Sequence, residues 1–460
     1  MKTHSFYWRC VLGLASFCLL LAACSGDTGA GVTDTRRVAR MADALLTAIA
    51  TDELNRSPQT ASRLGLPETV IGYAHEREID DRSQAIFERT RLKRLEYLEA
   101  LDRIDATALP APLSDHVKVM RRSVRTAVSL SQLGHGYVSL GYARPYAADH
   151  LSGAWTDVPD LLINRHPILD EGDIETYLAR LANLPDALRD EARRLRADAT
   201  AGVLPPRFSL DRMTIKTSAL ALTPEDGSDH VFVQHLESAM AKIDGLPEDN
   251  RAEWRNAATD LVALEIQPAY AAYTAALEEL ATEASPMAGI WRLPRGEAYY
   301  AAALALYSGS EDTPDMLHSQ GLDLVADLTG QLDEALSAYG LIEGSIAERM
   351  AQITALDGQL YADTEEGRAA LVARLNDHLA LSGDALGLFV LNAPDMAIAI
   401  SPADARDIPA RNGMTSILSP RNDTATTKVN ISISDMTIWP DYTLATRIFH
   451  HTLPGRHLEQ

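Results

Sequence analysis

Cysteine is nearly absent from the sequence. The chain has three cysteines in 460 residues, and all of them (Cys10, Cys18 and Cys24) lie at its amino-terminal end. The rest of the chain therefore has no disulfide framework, and its fold must depend on a hydrophobic core. The same absence excludes a cysteine nucleophile and a thiolate metal site from the body of the protein.

Positive charge and aromatic side chains are also scarce. Lysine and arginine number 42 against 64 aspartates and glutamates, which gives a formal net charge of −22. Such an acidic surface repels a phosphate backbone and argues against nucleic-acid binding. Aromatic residues make up 6% of the chain, which disfavours an all-β or carbohydrate-stacking protein. No glycine-rich phosphate loop, G-x-S-x-G elbow or EF-hand pattern is present, so nucleotide-binding and serine-hydrolase functions lack support.

The amino terminus has the pattern of an export signal. Lys2 and Arg9 precede an uncharged, mostly apolar run over residues 10–21, which is short for a permanent membrane helix. The sequence Leu-Ala-Ala before Cys24 resembles the lipobox of bacterial lipoproteins, in which the cysteine is lipidated. We expect a signal peptide over residues 1–23 and a flexible tether over 24–35, with an ordinary signal cleavage nearby as the alternative. This predicts a lipid-anchored protein of the bacterial cell envelope, facing the periplasm.

The body of the chain has a helical period from about Asp34 to Asn392. Apolar residues recur at three- and four-residue spacing, and Thr313-Pro314-Asp315 has the composition of a capped helix start. The many Arg and Glu residues of these helices are interpreted as solvated faces. Gly134 to Pro167 is interpreted as a long loop, with a functional loop and a packed surface loop both left open.

The character of the sequence changes near its carboxy-terminal end. Met396–Ser401 is typical of a short strand, and Lys428–Asp435 alternates apolar and polar residues with the period of a strand. We therefore expect a mainly α protein with a small antiparallel β-sheet at about residues 394–436. The second strand could also pair with an extended peptide, as edge strands can.

Potential metal ligands concentrate in the last stretch of the sequence, at His450, His451, His457 and Glu459. The usual zinc helix has two histidines four residues apart, but here Pro454 stands four residues after His450. His457 would lie about 10 Å further along a straight helix, so one metal reaches both histidines only if Pro454-Gly455 breaks the helix. Spacing alone leaves open a metal site or a histidine-rich helix end.

This segment resembles the H-E-x-x-P-G-H-H-x-Q motif of a large bacterial family catalogued as domain of unknown function 885. The resemblance extends to Leu151-Ser152-Gly153, to Asp157-Val158-Pro159-Asp160 with His166-Pro167, and to Ile290–Tyr300 with Thr313-Pro314 and His318–Leu322. Members of that family look like helical zinc peptidases of the gluzincin and carboxypeptidase Taq kind. The resemblance implies a metallopeptidase-like fold over residues 36–460.

The resemblance also implies roles for individual residues. His450 takes the place of the first family histidine and His457 that of a later one, which implies zinc ligands. His451 stands where the family has its glutamate, the proton-transfer residue, and Arg456 and Glu459 also depart from the motif. In a peptidase-like cleft, Tyr299 or Tyr300 could donate to a developing oxyanion, although at least one of these adjacent tyrosines is expected in the core. His318 is expected to be a core or surface histidine.

The departures from the motif change the expected activity. The family has a downstream E-G-W-A-x-Y-like segment that would supply a carboxylate ligand, and this sequence stops before it, as expected of an incomplete site. A catalytic zinc needs three protein ligands, so zinc binding is doubtful here. We expect a peptidase-like or amide-hydrolase-like envelope lipoprotein with little or no hydrolysis of peptide or small amide substrates. The alternative is a non-catalytic peptide-binding lipoprotein.

Overall fold

The computed structural model describes residues 30–222, 227–387, 397–403, 413–417 and 426–457. Cys24 and the predicted signal peptide lie outside the described residues. The first helix begins at Ala30, inside the segment predicted as a tether. Among the described residues, no helix combines the length and the apolar character that a membrane crossing requires.

The amino-terminal part is a helical layer with its own hydrophobic core. Its helices are α1 (Ala30–Arg56), α2 (Pro58–Arg63), α3 (Glu68–Ile71), α4 (Gln84–Asp102) and α5 (Ala111–Ser131). The Ser83 hydroxyl caps α4 by accepting from the Ile86 amide. Ile49, Leu101, Val117 and Val124 are fully buried together, so α1, α4 and α5 share one core.

The interpretation of Gly134–Pro167 as a loop is wrong for much of its length. Tyr137–Val138 (β1) and Ala143–Arg144 (β2) form a short antiparallel ladder, and Ala154–Asn164 forms helix α6. Ala154, Val158, Leu161 and Leu162 share one face at helical spacing and are fully buried. The Pro159 inside this helix weakens its sequence signal, but burial of that apolar face outweighs the weak propensity.

The largest core lies among the central helices. These are α7 (Glu171–Thr200), α8 (Arg207–Ala221), α9 (Val231–Met240), α10 (Glu248–Leu261) and α11 (Gln267–Ala281). α10 and α11 are continuous through one π turn at Val262–Ile266, which ends two residues before Pro268. Because Pro268 has no amide hydrogen, a π turn accommodates it within the helix.

The following helices lead to the carboxy-terminal part of the chain. They are α12 (Gly296–Ser308), α13 (Pro314–Ala338), α14 (Ile346–Thr354) and α15 (Glu365–Leu386). The predicted start of α13 is confirmed, since the Thr313 hydroxyl accepts from the Met316 amide at 3.3 Å. The chain is thus mainly helical, as predicted.

A three-stranded sheet follows α15. Its strands β3 (Ala397–Ala403), β4 (Met414–Ile417) and β5 (Thr426–Ser432) are ordered β3-β5-β4. β4 pairs antiparallel with β5, but β3 runs parallel to it. The sheet is therefore mixed, and the prediction of an antiparallel sheet is right for only one of its two pairings. Alternation within one strand reports which residues share a face, but it says nothing about the direction of the neighbouring strand.

Candidate functional site

The last described helix, α16 (Asp441–His451), is anchored to one face of the sheet. Leu444 and Ile448, one turn apart, are fully buried in a core with Val429 and Ile431 of β5. Trp439 precedes the helix and donates from its indole nitrogen to the Ser432 carbonyl at 2.9 Å. These contacts position the carboxy-terminal end of α16, and with it the histidine cluster, beside the sheet.

The helix ends at His451, before it reaches Pro454. The chain then turns back, and the amides of Gly455 and Arg456 donate to the carbonyls of Phe449 and His450 at 3.1 and 3.0 Å. A Cβ atom at Gly455 would lie 2.2 Å from the His450 carbonyl oxygen. Glycine is therefore required for this close approach. The straight-helix separation of His450 and His457 does not apply, since Pro454-Gly455 lies beyond the helix.

His457 is held in the sheet core by one ring nitrogen. Its side chain is 1% exposed, and Nδ1 lies 3.0 Å from the Thr427 hydroxyl. Nε2 is buried and has no hydrogen-bond partner in the part of the chain that the structure describes. Burial lowers the pKa of His457 and so favours the neutral imidazole. A neutral imidazole with one nitrogen fixed by the protein and the other free is the form in which histidine binds a metal.

His451 approaches the same face of the sheet. It is buried, and its Nδ1 lies 3.5 Å from the Ser416 hydroxyl of β4. Burial, with contributions from Arg456 and His450, lowers the pKa of His451 to about 4. Ser416 is paired with Val429, two residues from Thr427, so Ser416 and Thr427 lie on one face at diagonal positions, with Cα atoms roughly 7–8 Å apart. The structure therefore brings His451 and His457 to neighbouring places on the sheet.

His450 differs from the other two histidines because it is exposed. Its ring lies 5.1 Å from that of His451, centroid to centroid, in an edge-on arrangement. Within the described ranges, no group of three or more His, Cys, Asp or Glu side chains is arranged to hold a metal ion. Glu459 lies outside the described residues. The described donor set therefore does not fit a three-ligand catalytic zinc, and the chemistry considered below uses the protein's own side chains.

The two tyrosines proposed as oxyanion donors lie in another hydrophobic cluster. Tyr299 is buried with Leu130, Val138 and Ala143, and its ring stacks on that of His135 at 5.8 Å. Tyr300, its neighbour, is 49% exposed. His451 packs instead beside the sheet core formed by α15, α16 and β5. The structure therefore does not place these tyrosines in one cluster with the histidines. His318 is exposed on α13.

The sequence did not reveal a cleft in the structure, because the arginines on the helices, among them Arg94 and Arg194, were interpreted as solvated. A cleft of about 340 Å³ opens between α1, α4, α7 and the β1–β2 hairpin, and it is lined by the buried side chains of Arg82, Arg94 and Arg194. Arg94 lies on the inner face of α4 together with the buried Tyr97 and Leu101, at a spacing of three and four residues. Charged residues at the spacing of an apolar stripe are the signal that could have revealed this cleft.

The fold and the sheet-bound histidines define a large helical protein with a mixed three-stranded sheet near its carboxy-terminal end. The model of the family described as bacterial protein of unknown function (DUF885) matches residues 58–460, and the chain belongs to this family. No curated protein matches the sequence significantly.

Two solved structures share the fold, and each is described as a "putative lipoprotein". The one from Colwellia psychrerythraea is 22% identical with a TM-score of 0.82, over 91% of this chain and 71% of that one. The one from Shewanella oneidensis, of unknown function, is 14% identical with a TM-score of 0.55, over 90% of this chain and 70% of that one. At these identities the likeness shows the fold alone.

Proposed function

We propose that the protein is a lipid-anchored envelope protein that binds peptides or small amides at a peptidase-like site and hydrolyses them weakly or not at all. The observation that carries the proposal is the pair of buried, neutral histidines, His451 and His457, held by hydroxyls on one face of the sheet. Burial also lowers the pKa of other histidines in this chain, such as His166 and His230, so what distinguishes His451 and His457 is that both lie on one face of the sheet.

The sheet offers a way to bind an extended peptide next to these histidines. In the described part of the sheet, β5 is paired on both sides and β4 only on one. An extended peptide adds to a free strand edge through main-chain hydrogen bonds. β3 is likewise paired on one side only, and of these two edge strands β4 is the one that carries Ser416 beside His451. We therefore assign this mode to β4 and not to β5, for which the sequence suggested peptide pairing.

The proton chemistry of the site explains why we expect weak hydrolysis. Water attack on an amide needs a base whose pKa is close to the working pH. His451 occupies the place of the family's glutamate, and its pKa of about 4 makes it a poor proton acceptor near neutral pH. The charge of Arg456 opposes formation of an imidazolium there. His451 is therefore better suited to donate a hydrogen bond to a bound amide, or to accept one from it, than to activate water.

The amino-terminal pattern supports the anchoring part of the proposal. The lipobox-like sequence at Cys24 would attach the protein to the envelope membrane, with the acidic body in the periplasm. Each of the two solved structures with the same fold is described as a "putative lipoprotein", and that description agrees with this assignment.

The proposal is tested with the lipid-anchored chain purified in detergent. A mixed peptide library is added with and without zinc, and with a chelator, while binding is followed by calorimetry and cleavage by mass spectrometry. We expect retained peptides with little cleavage, and loss of binding when bulk is added beside His451 by Ser416→Trp, because Ser416 is the β4 residue that faces the histidines. Thr446→Trp, on the exposed side of α16, is the matched control. Rapid cleavage that the chelator abolishes would contradict the claim of weak hydrolysis, and absence of any retained peptide would contradict the binding function.

A further inference from the structure

Helix α13 is amphipathic in sequence but almost entirely exposed. Leu336 is the one buried residue among its 25. An apolar stripe runs along the helix at three- and four-residue spacing, and it is made by Leu317, Leu324, Val325, Leu328 and Leu332. Leu324, Val325 and Leu328, in the middle of the stripe, are 56%, 63% and 52% exposed. The residues that the structure describes therefore leave the middle of this stripe uncovered.

The stripe has the spacing of a coiled-coil seam. Leu317 and Leu324 take one of the two seam positions of a heptad, and Gly321 and Leu328 take the other. The space beside Gly321 is open, because an added Cβ atom would meet nothing within 4 Å. A side chain of a facing helix could insert there, between the leucines on either side. The seam over residues 317–335 is about 27 Å long, so the geometry fits a second α-helix of similar length.

One edge of the stripe carries only negative charge. The sequence of α13 contains no lysine or arginine. Asp327 and Glu334, seven residues apart, flank the seam at the same heptad position. Asp327 accepts a hydrogen bond from the Gln331 amide at 2.8 Å, but within the described ranges neither carboxylate forms an ion pair. Asp333, which lies away from the seam, is paired with Arg349. The edge beside the stripe is therefore acidic and not compensated.

The acidic edge discriminates between the surfaces that could cover the stripe. In an antiparallel pair of two α13 helices, the acidic edges would face each other and repel. In a parallel pair, Asp327 would face the apolar Leu332 of the other copy and would gain no ion pair. An anionic bilayer would repel the same edge, and helices that lie on membranes carry Lys and Arg on their polar face. A helix with basic residues beside its own apolar stripe would complement both features.

We propose that α13 is the docking surface for an amphipathic helix of another protein, one whose apolar stripe is flanked by lysine or arginine. Burial of Leu324, Val325 and Leu328 supplies most of the binding energy, because these side chains lose the most exposed apolar area. Ion pairs with Asp327 and Glu334 select the partner and its orientation. The proposal does not depend on the peptide site at β4, because none of these residues belongs to the sheet or to α16.

The test uses the full detergent-purified chain and a synthetic three-heptad peptide with leucines in the seam, lysines at both edges and a photoreactive group in the seam. Fluorescence anisotropy measures binding, with detergent alone as the blank, and mass spectrometry of the cross-links locates the site. We expect saturable binding that weakens as salt is added, with cross-links on α13. A matched peptide with glutamates in place of the lysines should bind at least about tenfold more weakly.

Variants of α13 separate the stripe from its acidic edge. Leu324→Gln combined with Leu328→Gln should weaken binding at least about tenfold, because two leucines no longer bury apolar area. Both residues are exposed, so the fold should be retained. Ala326→Gln combined with Thr329→Gln is the matched control, at exposed positions of the same helix outside the stripe. Asp327→Lys should weaken binding of the lysine peptide and strengthen binding of the glutamate peptide.

Several results would overturn the proposal. These are equal weakening by the control pair, cross-links confined to residues outside α13, an unchanged peptide preference in Asp327→Lys, and absence of any binding to the parent chain. Dimerisation of the parent chain in analytical ultracentrifugation, lost in the Leu324→Gln and Leu328→Gln variant, would assign the stripe to a second copy instead. Binding to phosphatidylglycerol vesicles that is lost in the same variant would assign it to the membrane.

Discussion

The Nδ1 atom of His457 lies 3.0 Å from the Thr427 hydroxyl, and both side chains are buried. This contact joins the turn that follows α16 to the central strand of the sheet. It also fixes the orientation of the imidazole, because only Nε2 remains free for another partner. The contact therefore links the histidine cluster directly to the core of the sheet.

Thr427→Val removes this contact and keeps the shape of the side chain. We expect the free energy of unfolding to fall by about 1–3 kcal/mol, because Nδ1 of a buried histidine loses its partner. Urea unfolding followed by circular dichroism measures the change. Thr446→Val, on the exposed side of α16, should change stability by less than about 0.5 kcal/mol. If the two variants unfold at the same urea concentration, the contact does not stabilise the fold.

Gly455→Ala tests the close approach of the turn to α16. The added Cβ would meet the His450 carbonyl oxygen at 2.2 Å, so the turn must shift. We expect a loss of about 1–3 kcal/mol in unfolding free energy together with weaker peptide binding at the neighbouring site. Gly330→Ala is the control, since no atom lies within 4 Å of its added Cβ on α13. Helix propensity predicts that this control is unchanged or more stable by up to about 1 kcal/mol. Equal melting temperatures for the two variants would argue against a glycine requirement at 455.

Cys24→Ala tests the proposed anchor. Without the thiol there is no site for lipid attachment, so the protein should lose incorporation of a labelled fatty acid and leave the membrane fraction. Cell fractionation and gel mobility measure both effects. Cys18→Ala, within the apolar run, removes a thiol but should leave labelling unchanged. Continued labelling of the Cys24 variant would mean that lipid attaches elsewhere.

Helical periodicity predicted the main features of the fold because the helices of the amino-terminal and central cores each bury an apolar face, whereas α13 buries only Leu336 among its residues. The Thr313 cap and the continuous helix over α10 and α11 follow from local signals, and both are present in the structure. The parallel pairing of β3 with β5 could not be predicted, since it depends on the path of the intervening chain. Helix α6 was missed because Pro159 obscures an apolar stripe that only tertiary packing stabilises.

The candidate sites, like the fold, could be predicted from the sequence only in part. Spacing correctly indicated that a straight helix could not join His450 to His457, and the chain indeed turns back after His451. The hydroxyl partners Ser416 and Thr427 come from strands that sequence spacing does not bring together. Arg94 was placed on a solvated face, but it is 3% exposed and paired with Glu53. A buried ion pair needs both partners, and Glu53 is distant in the sequence.

The depressed pKa of His451 predicts how stability depends on pH. An unfolded histidine titrates near pH 6.5, and the folded His451 near pH 4, so between these values the unfolded chain binds more protons. The stabilisation is therefore fully present above about pH 6.5 and is lost as the pH falls towards 4. Each such histidine contributes a slope of at most about 1.4 kcal/mol per pH unit, and His166, with a pKa of about 4, adds in the same direction. Asp198, whose pKa burial raises to about 6, acts in the opposite direction and offsets part of this loss.

Urea unfolding at pH 7.5 and pH 5.0 measures this dependence. We expect the parent chain to be less stable at pH 5.0 and His451→Gln to show a smaller difference between the two pH values, because one proton-linked group is gone. His318→Gln is the matched control, since it removes an exposed histidine on α13 that is not among the groups that shift the pKa of His451. If His318→Gln reduced the pH dependence as much as His451→Gln, burial of His451 would not be the cause of the linkage.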